Sequence, residues 1–432
     1  MWNPHLLPQE IVPDAPAPLK PSARERALLR QLARRALEIA HEPVMGERRQ
    51  AWRDHNALKP GRPLILADPE CAWEELVPVS TLECAQPKLR AWELELRKRI
   101  FWREVIDDDD TVEPCFDIPW AVRIGDFGVV ARKTHGANRG SYTWDPPIRD
   151  LATATQVLKA RELSVDRALT HDYVDAAASL FGDILPVRIR GKYWWTVGLT
   201  QPLIDLIGLE TLMLAMVDHP AELHALMAWL RDEHLRFLAW FEQEGLLSDT
   251  NENDYVGSGA IAYTDELPQR DRKPGEPVRL KDIWGHCESQ ETIGVSPGMF
   301  AEFVFPYQLP LTEKFGLVCY GCCEPVDQRL VYLKRIPALR RISVSAWADE
   351  ERCAREMGRD YIYSRKPNPA RICASFDEDE IRRDLRHTLE TARGCILELV
   401  MKDTHTLQHQ PWRISRWVQL ARQEVERQWS GA

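Results

Sequence analysis

The sequence predicts an α/β protein in which a (β/α)8 TIM-type barrel follows an N-terminal helical extension. Short apolar runs alternate along the chain with longer runs whose apolar residues recur at helical spacing. Such alternation is typical of parallel strands that are connected by helices on the outside of a sheet. Because about eight strand-like runs are present, a closed barrel is favoured. An open, doubly wound sheet gives a similar alternation and stays an alternative.

The first elements are helical. A proline-rich stretch at 1–21 is interpreted as an extended arm. A helix is predicted over 22–56, where apolar residues at helical spacing face arginines, and a second over 87–105. The acidic run at 107–110, which follows the second helix, is interpreted as an exposed turn.

Strands and helices then alternate to the end of the chain. The predicted strands are 64–68, 112–117, 184–189, 246–249, 317–320, 341–345, 360–364 and 396–401. The predicted helices among them are 220–244, 297–315, 350–357 and 377–392. Pro220 and Pro297 suit the first turn of a helix, with His219 and Ser296 as N-caps.

These elements divide the chain into two parts. Residues 1–58 form the predicted arm and helix, and residues 59–432 form the predicted barrel, with an insertion around 256–290. A further strand-like run at 280–284 is assigned to this insertion.

Composition excludes several classes of protein. With 432 residues, of which 44% are apolar and 28% charged, the chain can bury a large core. A net charge of −10 argues against nucleic acid as the main partner. The sequence has no apolar run of the ~18–20 residues that a membrane helix needs, and its N-terminus does not resemble a secretory signal. Ten unevenly spaced cysteines favour reduced thiols and a cytoplasmic location over a disulfide framework.

Residues that can carry chemistry follow several of the predicted strands directly. In a barrel the carboxyl ends of the strands meet on one face, where the active site lies. On this basis the predicted catalytic residues are Glu324, Asp403 and Asp117. Aromatic rings in loops can line a pocket for a flat or methylated ligand, although simple packing is the alternative for most of them. The predicted substrate contacts, from strand ends and such loops, are Tyr193, Trp194, Trp284, Tyr320, Asn253 and Lys366.

A metal site is predicted from thiols and imidazoles at strand ends. Cys322 and Cys323 follow the run 317–320, and His405 follows the run 396–401. Thiolate and imidazole together suit zinc, which needs three protein ligands and one open position for catalysis. We predict these three residues as zinc ligands, with His286 as a further ligand. Alternatively, the cysteines are buried small apolar residues and the histidine is structural.

Four segments carry a resemblance to a known family. They are residues 183–195 with Gln201-Pro202, Ser296-Pro297 with Phe300, Phe303 and Pro306, Lys366-Pro367-Asn368-Pro369, and His405. Over about residues 60–430 the chain resembles the uroporphyrinogen decarboxylase superfamily, especially its branch close to the cobalamin-dependent methyltransferases. In those methyltransferases zinc is held by His-x-Cys on one strand and by a cysteine near the last strand. The corresponding positions here are Tyr320-Gly321-Cys322 and His405.

The resemblance implies a function and several partners. It implies a corrinoid-linked methyltransferase with a Cys/His-bound zinc, for example one that demethylates a small methylated compound and passes the methyl group to a corrinoid or a thiol. The corrinoid would bind directly or on a partner protein, and the chain would form a homodimer. A porphyrinogen substrate is disfavoured because Asp68 and Glu70 stand where the decarboxylases carry a basic loop.

Two alternatives to methyl transfer stay open. One is a metal-free decarboxylase or lyase that holds a small carboxylate with basic residues at strand ends. These basic residues are Arg190, Lys192, Arg365 and Lys366. The other alternative is a non-catalytic corrinoid binder.

Overall fold

The computed structural model describes residues 19–135 and 142–429. The arm predicted at 1–21 lies almost entirely outside these described residues. The strands are β1 Leu64–Ala67, β2 Phe116–Ile118, β3 Ala121–Ile124, β4 Arg132–His135, β5 Tyr142–Asp145, β6 Leu163–Asp166, β7 Val187–Ile189, β8 Tyr255–Val256, β9 Ala260–Ile261, β10 Trp284–Cys287, β11 Leu317–Tyr320, β12 Leu339–Val344, β13 Ile362–Arg365 and β14 Ile396–Met401. The helices are α1 Ala23–Ala40, α2 Pro43–Asn56, α3 Trp73–Leu76, α4 Pro87–Phe101, α5 Ala154–Val157, α6 Arg167–Phe181, α7 Thr200–Ile207, α8 Leu209–Asp218, α9 Pro220–Gln243, α10 Pro297–Phe303, α11 Phe305–Thr312, α12 Leu330–Leu333, α13 Glu350–Met357, α14 Ala370–Cys373, α15 Glu378–Thr391 and α16 Trp412–Trp429.

Eight of the described strands pair in parallel. Six form one sheet in the order β1-β14-β13-β12-β11-β10, and β2 pairs with β7 in a second. Most of their residues are buried and apolar, as expected where helices cover a parallel sheet, although charged residues such as Arg341 and Glu398 are buried among them. The α/β class and the parallel sheet are therefore as predicted, whereas closure of the eight strands into one barrel stays a prediction.

The register of the six-stranded sheet brings several strand ends together. Ala67, the last residue of β1, is opposite Met401, the last residue of β14. In the same way Cys287 of β10 is opposite Tyr320 of β11. Because these strands are parallel, the residues that follow them emerge at one edge of the sheet. The residues that follow β1, β14, β10 and β11 therefore lie at a common edge of the six-stranded sheet.

The strand predicted at 246–249 is wrong, and β10 lies at the edge of the six-stranded sheet instead. Leu246 is buried after α9, but the segment 246–249 does not enter a sheet ladder. Gly285 allows β10 to pass beneath Phe315, because a Cβ atom at this glycine would overlap the Phe315 ring. This requirement for close packing is not visible in the sequence, and the strand-like run at 280–284 was instead assigned to the insertion.

Two predicted helices are each divided in the structure. The run 22–56 forms α1 and α2, which separate at Pro43, because proline has no N–H group to continue the helical hydrogen bonds. The run 297–315 likewise forms α10 and α11, with Pro306 in the first turn of α11. The predicted helical character of both runs is otherwise confirmed.

The predicted N-caps have different outcomes. The Ser296 hydroxyl accepts a hydrogen bond from the backbone N–H of Met299 at 3.2 Å, so it caps α10 as predicted. His219 also occupies the predicted N-cap position, but its side chain makes no capping hydrogen bond to α9. Helix α9 begins with Pro220, which lacks one of the N–H groups that a cap would satisfy.

The middle of the acidic run 107–110 is buried, in contrast to the exposed turn predicted for it. Asp108 and Asp109 lie beside β1 with almost no exposed surface. The Asp109 carboxylate accepts the backbone N–H of Ile65 at 2.8 Å, and the Asp108 carboxylate accepts that of Ala67 at 2.7 Å. These side chains therefore satisfy the edge of β1 as a neighbouring strand would.

A helix that spans a membrane must be both long and apolar, and the described helices do not meet both conditions singly. None of those in residues 19–135 and 142–429 is by itself long and apolar enough to cross a membrane. Helices α7 and α8 together have sufficient length and apolar composition, but they meet at an angle of 95°.

Candidate active site

Cys322 lies in a tight turn at the carboxyl end of β11. Gly321 has a φ of +94°, and a Cβ atom at this position would lie 3.2 Å from the Ser343 side chain. Glu324 folds back into the turn, where its carboxylate accepts the backbone N–H of Cys322 at 2.8 Å and that of Ser289 at 2.9 Å. The turn thus holds Cys322 in one orientation, and the predicted catalytic Glu324 supports the backbone of the turn.

The buried sulfur of Cys322 is surrounded by groups that stabilise its anionic form. It lies 3.5 Å from the Cys323 sulfur, 3.6 Å from the Lys402 ammonium and 3.3 Å from the Ser258 hydroxyl, which donates to it. The hydrogen bond from Cys323 and the charge of Lys402 lower the pKa of Cys322 to about 7, although burial opposes this change. A large share of the Cys322 side chain is therefore thiolate at neutral pH.

Lys402 connects the thiol to two carboxyl groups. Its ammonium lies 3.4 Å from Glu70 and 3.2 Å from Asp403. Burial opposes the charge of Lys402, but the neighbouring Cys322, Glu70 and Asp403 together raise its pKa well above the usual range. Burial raises the pKa of Glu70 to about 8, so this carboxyl is mostly protonated at neutral pH. Cys322, Lys402, Glu70, Asp403 and Ser258 thus form a thiol cluster, which combines a thiolate, an ammonium and a proton donor.

A hairpin formed by β8 and β9 covers the thiol. Its tip contains Gly257, Ser258 and Gly259, and the two glycines have φ values of +66° and +88°. A Cβ atom would lie 2.9 Å from Cys319 if added at Gly257, and 2.7 Å from Val400 if added at Gly259. Glycine is therefore required at both positions so that the tip can enter the space between β11 and β14 and deliver the Ser258 hydroxyl.

A cavity of about 350 Å³ lies on the other side of this hairpin. It is lined by one face of α4 and by residues that follow the strands, among them Lys88, Trp92, Lys98, Trp102, Asp68 and Tyr255. A volume of this size is at the lower end for small-molecule sites, which are roughly 300–1,000 Å³. The cavity therefore suits a small metabolite.

Asp68 and Tyr255 mark the end of the cavity that approaches the thiol cluster. One oxygen of Asp68 accepts the Glu70 backbone N–H at 3.0 Å, and the other is buried without a hydrogen-bond partner among the described residues. Burial raises the pKa of Tyr255 well above its usual range, and the negative charges of Asp68, Glu70 and Cys322 act in the same direction. The phenol thus lies between the cavity and the cluster.

The four predicted zinc ligands do not meet at one point. Cys322 and Cys323 are adjacent, but the His405 side chain is exposed. His286 is buried against the Trp195 ring, and burial together with nearby Lys192 lowers its pKa well below the usual range. Within residues 19–135 and 142–429, no group of three or more His, Cys, Asp or Glu side chains could hold a metal ion. The arrangement does not fit the zinc prediction.

Two of the other predicted site residues line the cavity. Asn253 lies on its wall, where its side-chain amide donates to the backbone carbonyl of Thr111. Asp117 also lines the cavity and pairs with Arg188 at 2.5 Å. Asp403, by contrast, lies in the thiol cluster, where it accepts a hydrogen bond from the Cys323 thiol at 3.3 Å.

All four predicted aromatic contacts lie in packed surroundings instead of on the cavity wall. These residues are Tyr193, Trp194, Trp284 and Tyr320. The Tyr193 ring stacks on Phe241 at 4.9 Å, and the Trp284 indole donates to the Ala262 carbonyl at 3.0 Å. Lys366, the sixth predicted contact, is buried and donates to the Ser364 hydroxyl at 2.5 Å.

Sequence reasoning missed Lys402, Glu70 and Ser258 as members of the thiol cluster. Lys402 directly follows β14 and Glu70 follows β1, so position after a strand was a usable signal for both. No comparable signal marked Ser258, because its approach to Cys322 depends on the fold of the hairpin.

Comparisons with known proteins give little further information. No family model matches the chain, and no curated protein matches it. Among solved structures, the chain is similar to a methyltransferase from Methanosarcina mazei, with 13% identity and a TM-score of 0.48. The alignment covers 86% of this chain and 96% of the methyltransferase. A likeness of this size establishes neither the family nor the activity of this chain.

Replacing Lys402 with methionine is expected to raise the pKa of Cys322, because the thiolate loses its nearest positive charge. A rise of one pH unit or more would slow the alkylation of Cys322 by iodoacetamide at pH 7 by roughly fivefold or more, since the thiolate is the reacting form. Mass spectrometry of the Cys322 peptide across a pH series measures this rate.

Asp403→Asn provides a matched control for this prediction. Asp403 raises the pKa of Cys322, so its neutralisation should shift the alkylation midpoint in the opposite direction. An unchanged midpoint in Lys402→Met would contradict the assignment of Lys402 as the counter-ion.

Proposed function

We propose that this chain is an enzyme that transfers a methyl group from a small methylated compound through the thiolate of Cys322. The observation that carries the proposal is the pairing of this thiol with Lys402 at 3.6 Å, close to a cavity of about 350 Å³. A buried thiol that is held near its ionised form is a nucleophile, since the thiolate is the reactive species.

The chemistry follows from the roles of the three groups. The Cys322 thiolate attacks the methyl carbon, so that a sulfur–carbon bond forms while the bond from this carbon to oxygen, nitrogen or sulfur breaks. The leaving atom keeps the electron pair of the broken bond. In a methyl ether or a neutral methylated amine this atom takes a proton from Glu70, whose raised pKa keeps it mostly protonated at neutral pH, whereas a sulfonium sulfur leaves as a neutral thioether and takes no proton. The immediate products are S-methylcysteine at position 322 and the demethylated compound.

Lys402 has a different role in each state of this reaction. Before transfer it stabilises the thiolate by charge, and after transfer it balances the carboxylate of Glu70, which lies 3.4 Å away. The ammonium thus remains paired although the negative charge moves from sulfur to carboxylate. This retention of pairing lowers the cost of moving charge in a buried site.

Turnover requires an acceptor that removes the methyl group from sulfur. Transfer to a second thiolate or to a corrinoid would restore the Cys322 thiolate. The cavity is small, so a corrinoid would be supplied by a partner protein. Cys322 is nearly inaccessible behind the hairpin of β8 and β9, so this hairpin must move for either reactant to reach the sulfur.

A metal-free decarboxylase is the second candidate, and two buried lysines favour it. Burial lowers the pKa of Lys192 and of Lys366 to about 8, and both remain largely cationic at neutral pH. Such ammonium groups could hold a substrate carboxylate away from water. Release of carbon dioxide from a small carboxylate, without methylation of Cys322, would support this candidate over methyl transfer.

Methylation of the Cys322 peptide tests the main proposal. The purified chain is incubated with methyl ethers, methylated amines and methyl sulfonium compounds, and peptides are then analysed by mass spectrometry. We expect a mass increase of one methyl group at Cys322 with at least one of these donors, and its loss when a thiol acceptor is added. Methylation of other cysteines at the same rate would contradict the proposal.

A further inference from the structure

The charges around the cavity are almost completely balanced within the protein. Carboxylates on its wall pair with arginines, namely Asp117 with Arg188, Asp254 with Arg190, Glu95 with Arg99 and Glu113 with Arg49. Burial raises the pKa of Asp110 well above its usual range and so favours the neutral form of this carboxyl. Asp68 lies close enough to Lys98 for their charges to interact. The Lys192 ammonium donates to the Tyr255 carbonyl at 2.8 Å and also interacts with Asp254.

Lys88 is the exception among the basic groups that line the cavity. Among the described residues Lys98 and Lys192 also form no direct ion pair, but each interacts with the charge of a carboxylate. For Lys88 no such carboxylate is found in the described parts of the chain, and its ammonium rests 4.2 Å from the centre of the Tyr173 ring. Burial alone lowers the pKa of Lys88 to about 8. An ammonium that is partly removed from water without a counter-ion is unfavourable unless a ligand supplies negative charge.

We propose that this cavity binds a small organic anion, whose carboxylate or phosphate group pairs with Lys88. This inference rests on the proposed function in one respect, namely that the bound anion is the substrate of methyl transfer. Binding of the anion by Lys88 does not depend on that function.

The cavity places this anion site away from the thiol cluster. Lys88 is near the start of α4, whereas Trp102, which directly follows α4, lines the cavity as well. The fourteen positions that separate them correspond to roughly 21 Å at the helical rise of about 1.5 Å per residue. Trp92 and Phe116 line the cavity between its ends and offer apolar surface. A bound anion would therefore place its charged group at Lys88 and direct its other end towards Asp68.

Binding of matched probes tests the anion site. Benzoate, phenyl phosphate and the neutral analogue benzamide are titrated into the full chain by isothermal calorimetry. We expect benzoate or phenyl phosphate to bind at least about tenfold more tightly than benzamide, because a charge-assisted hydrogen bond to Lys88 is available only to an anion. Comparison of benzoate with phenyl phosphate decides between a carboxylate and a phosphate ligand.

Variants at position 88 test whether Lys88 causes the difference in affinity between the anions and benzamide. Lys88→Met should reduce the affinity for the anion by about tenfold and leave benzamide unaffected, while Lys88→Arg should retain most of the affinity. Lys314→Met, which changes an exposed lysine that does not line the cavity, is the matched control. The proposal would be overturned if neither benzoate nor phenyl phosphate bound more tightly than benzamide, or if a folded Lys88→Met variant bound the anion with undiminished affinity.

The rate of Cys322 alkylation distinguishes a failure of the anion-site proposal from a failure of the methyl-transfer proposal. Lys88 is not part of the thiol cluster, so Lys88→Met should keep the wild-type rate of reaction with iodoacetamide. If Cys322 proves unreactive while anion binding still depends on Lys88, the methyl-transfer proposal fails and the anion site stands. If Cys322 is methylated but the anion site is absent, the substrate class is wrong and the proposed reaction stands.

Discussion

Replacing Cys322 with serine is expected to abolish methyl transfer. The reaction proposed here begins at this sulfur, and a serine hydroxyl at the same position is not ionised near neutral pH and is a far weaker nucleophile. Loss of a covalent nucleophile typically lowers turnover by several orders of magnitude, so we expect a decrease of at least about a thousandfold. The rate of release of the demethylated compound, measured with the best donor found, provides the test.

Cys323→Ser is the matched variant for this test. A serine at position 323 can still donate its one hydroxyl proton to Cys322 or to Asp403, whose sulfur and carboxylate lie 3.5 Å and 3.3 Å from the Cys323 sulfur. Activity within about tenfold of the wild type is therefore expected. If Cys323→Ser were as inactive as Cys322→Ser, or if Cys322→Ser retained activity, the nucleophile would have been assigned incorrectly.

The largest effect on stability is expected from replacing Arg341 with methionine. Arg341 and Glu398 are both buried in the six-stranded sheet and form an ion pair at 2.9 Å. Arg341 also donates to the side chain of Asn56 at 2.5 Å, and His55 lies 3.0 Å from Glu398. Removal of one partner of a buried ion pair leaves an uncompensated charge, so the free energy of unfolding should fall by about 3–5 kcal/mol.

Chemical denaturation in urea, followed by circular dichroism, measures this loss. Lys59→Met is the control, because Lys59 pairs with Asp54 at the exposed surface, where such pairs contribute roughly 0–1 kcal/mol. The double variant Arg341→Met with Glu398→Met should recover part of the stability, since it removes both buried charges. A loss in Arg341→Met that is no greater than in Lys59→Met would contradict the importance of the buried pair.

The same ion pair predicts how stability depends on pH. Although burial opposes the charge of Glu398, Arg341 and His55 hold the pKa of this carboxyl below its usual range. Its contribution to stability is therefore present above the pKa of the unfolded chain, about 4.3, and is lost as the pH falls below that value. In Arg341→Met, burial without this counter-ion favours the protonated carboxyl, so the destabilisation should be smaller at pH 4 than at pH 7.

Much of the fold followed from local patterns in the sequence. Apolar runs of four to six residues, such as those that became β11 and β14, are recognisable because a buried parallel strand needs apolar side chains on both faces. The same patterns indicated that Cys322, Asp403 and Lys366 follow strands, and the structure places them there. The run 246–249 was misassigned because a short buried apolar segment has the same composition whether or not it joins a sheet.

The sequence predicted where along the strands the residues of the candidate site lie, but not which side chains surround the thiol. The residue order alone placed two thiols and a carboxylate at strand ends, because strand direction is a local property and parallel strands end at one face. Folding determined the chemistry there: Lys402 meets Cys322 across 80 positions of the chain, and Ser258 approaches it across 64. His405, two residues beyond Asp403, remains exposed. Such contacts depend on the direction and burial of each side chain, which are set by packing among distant segments and cannot be read from spacing along the chain.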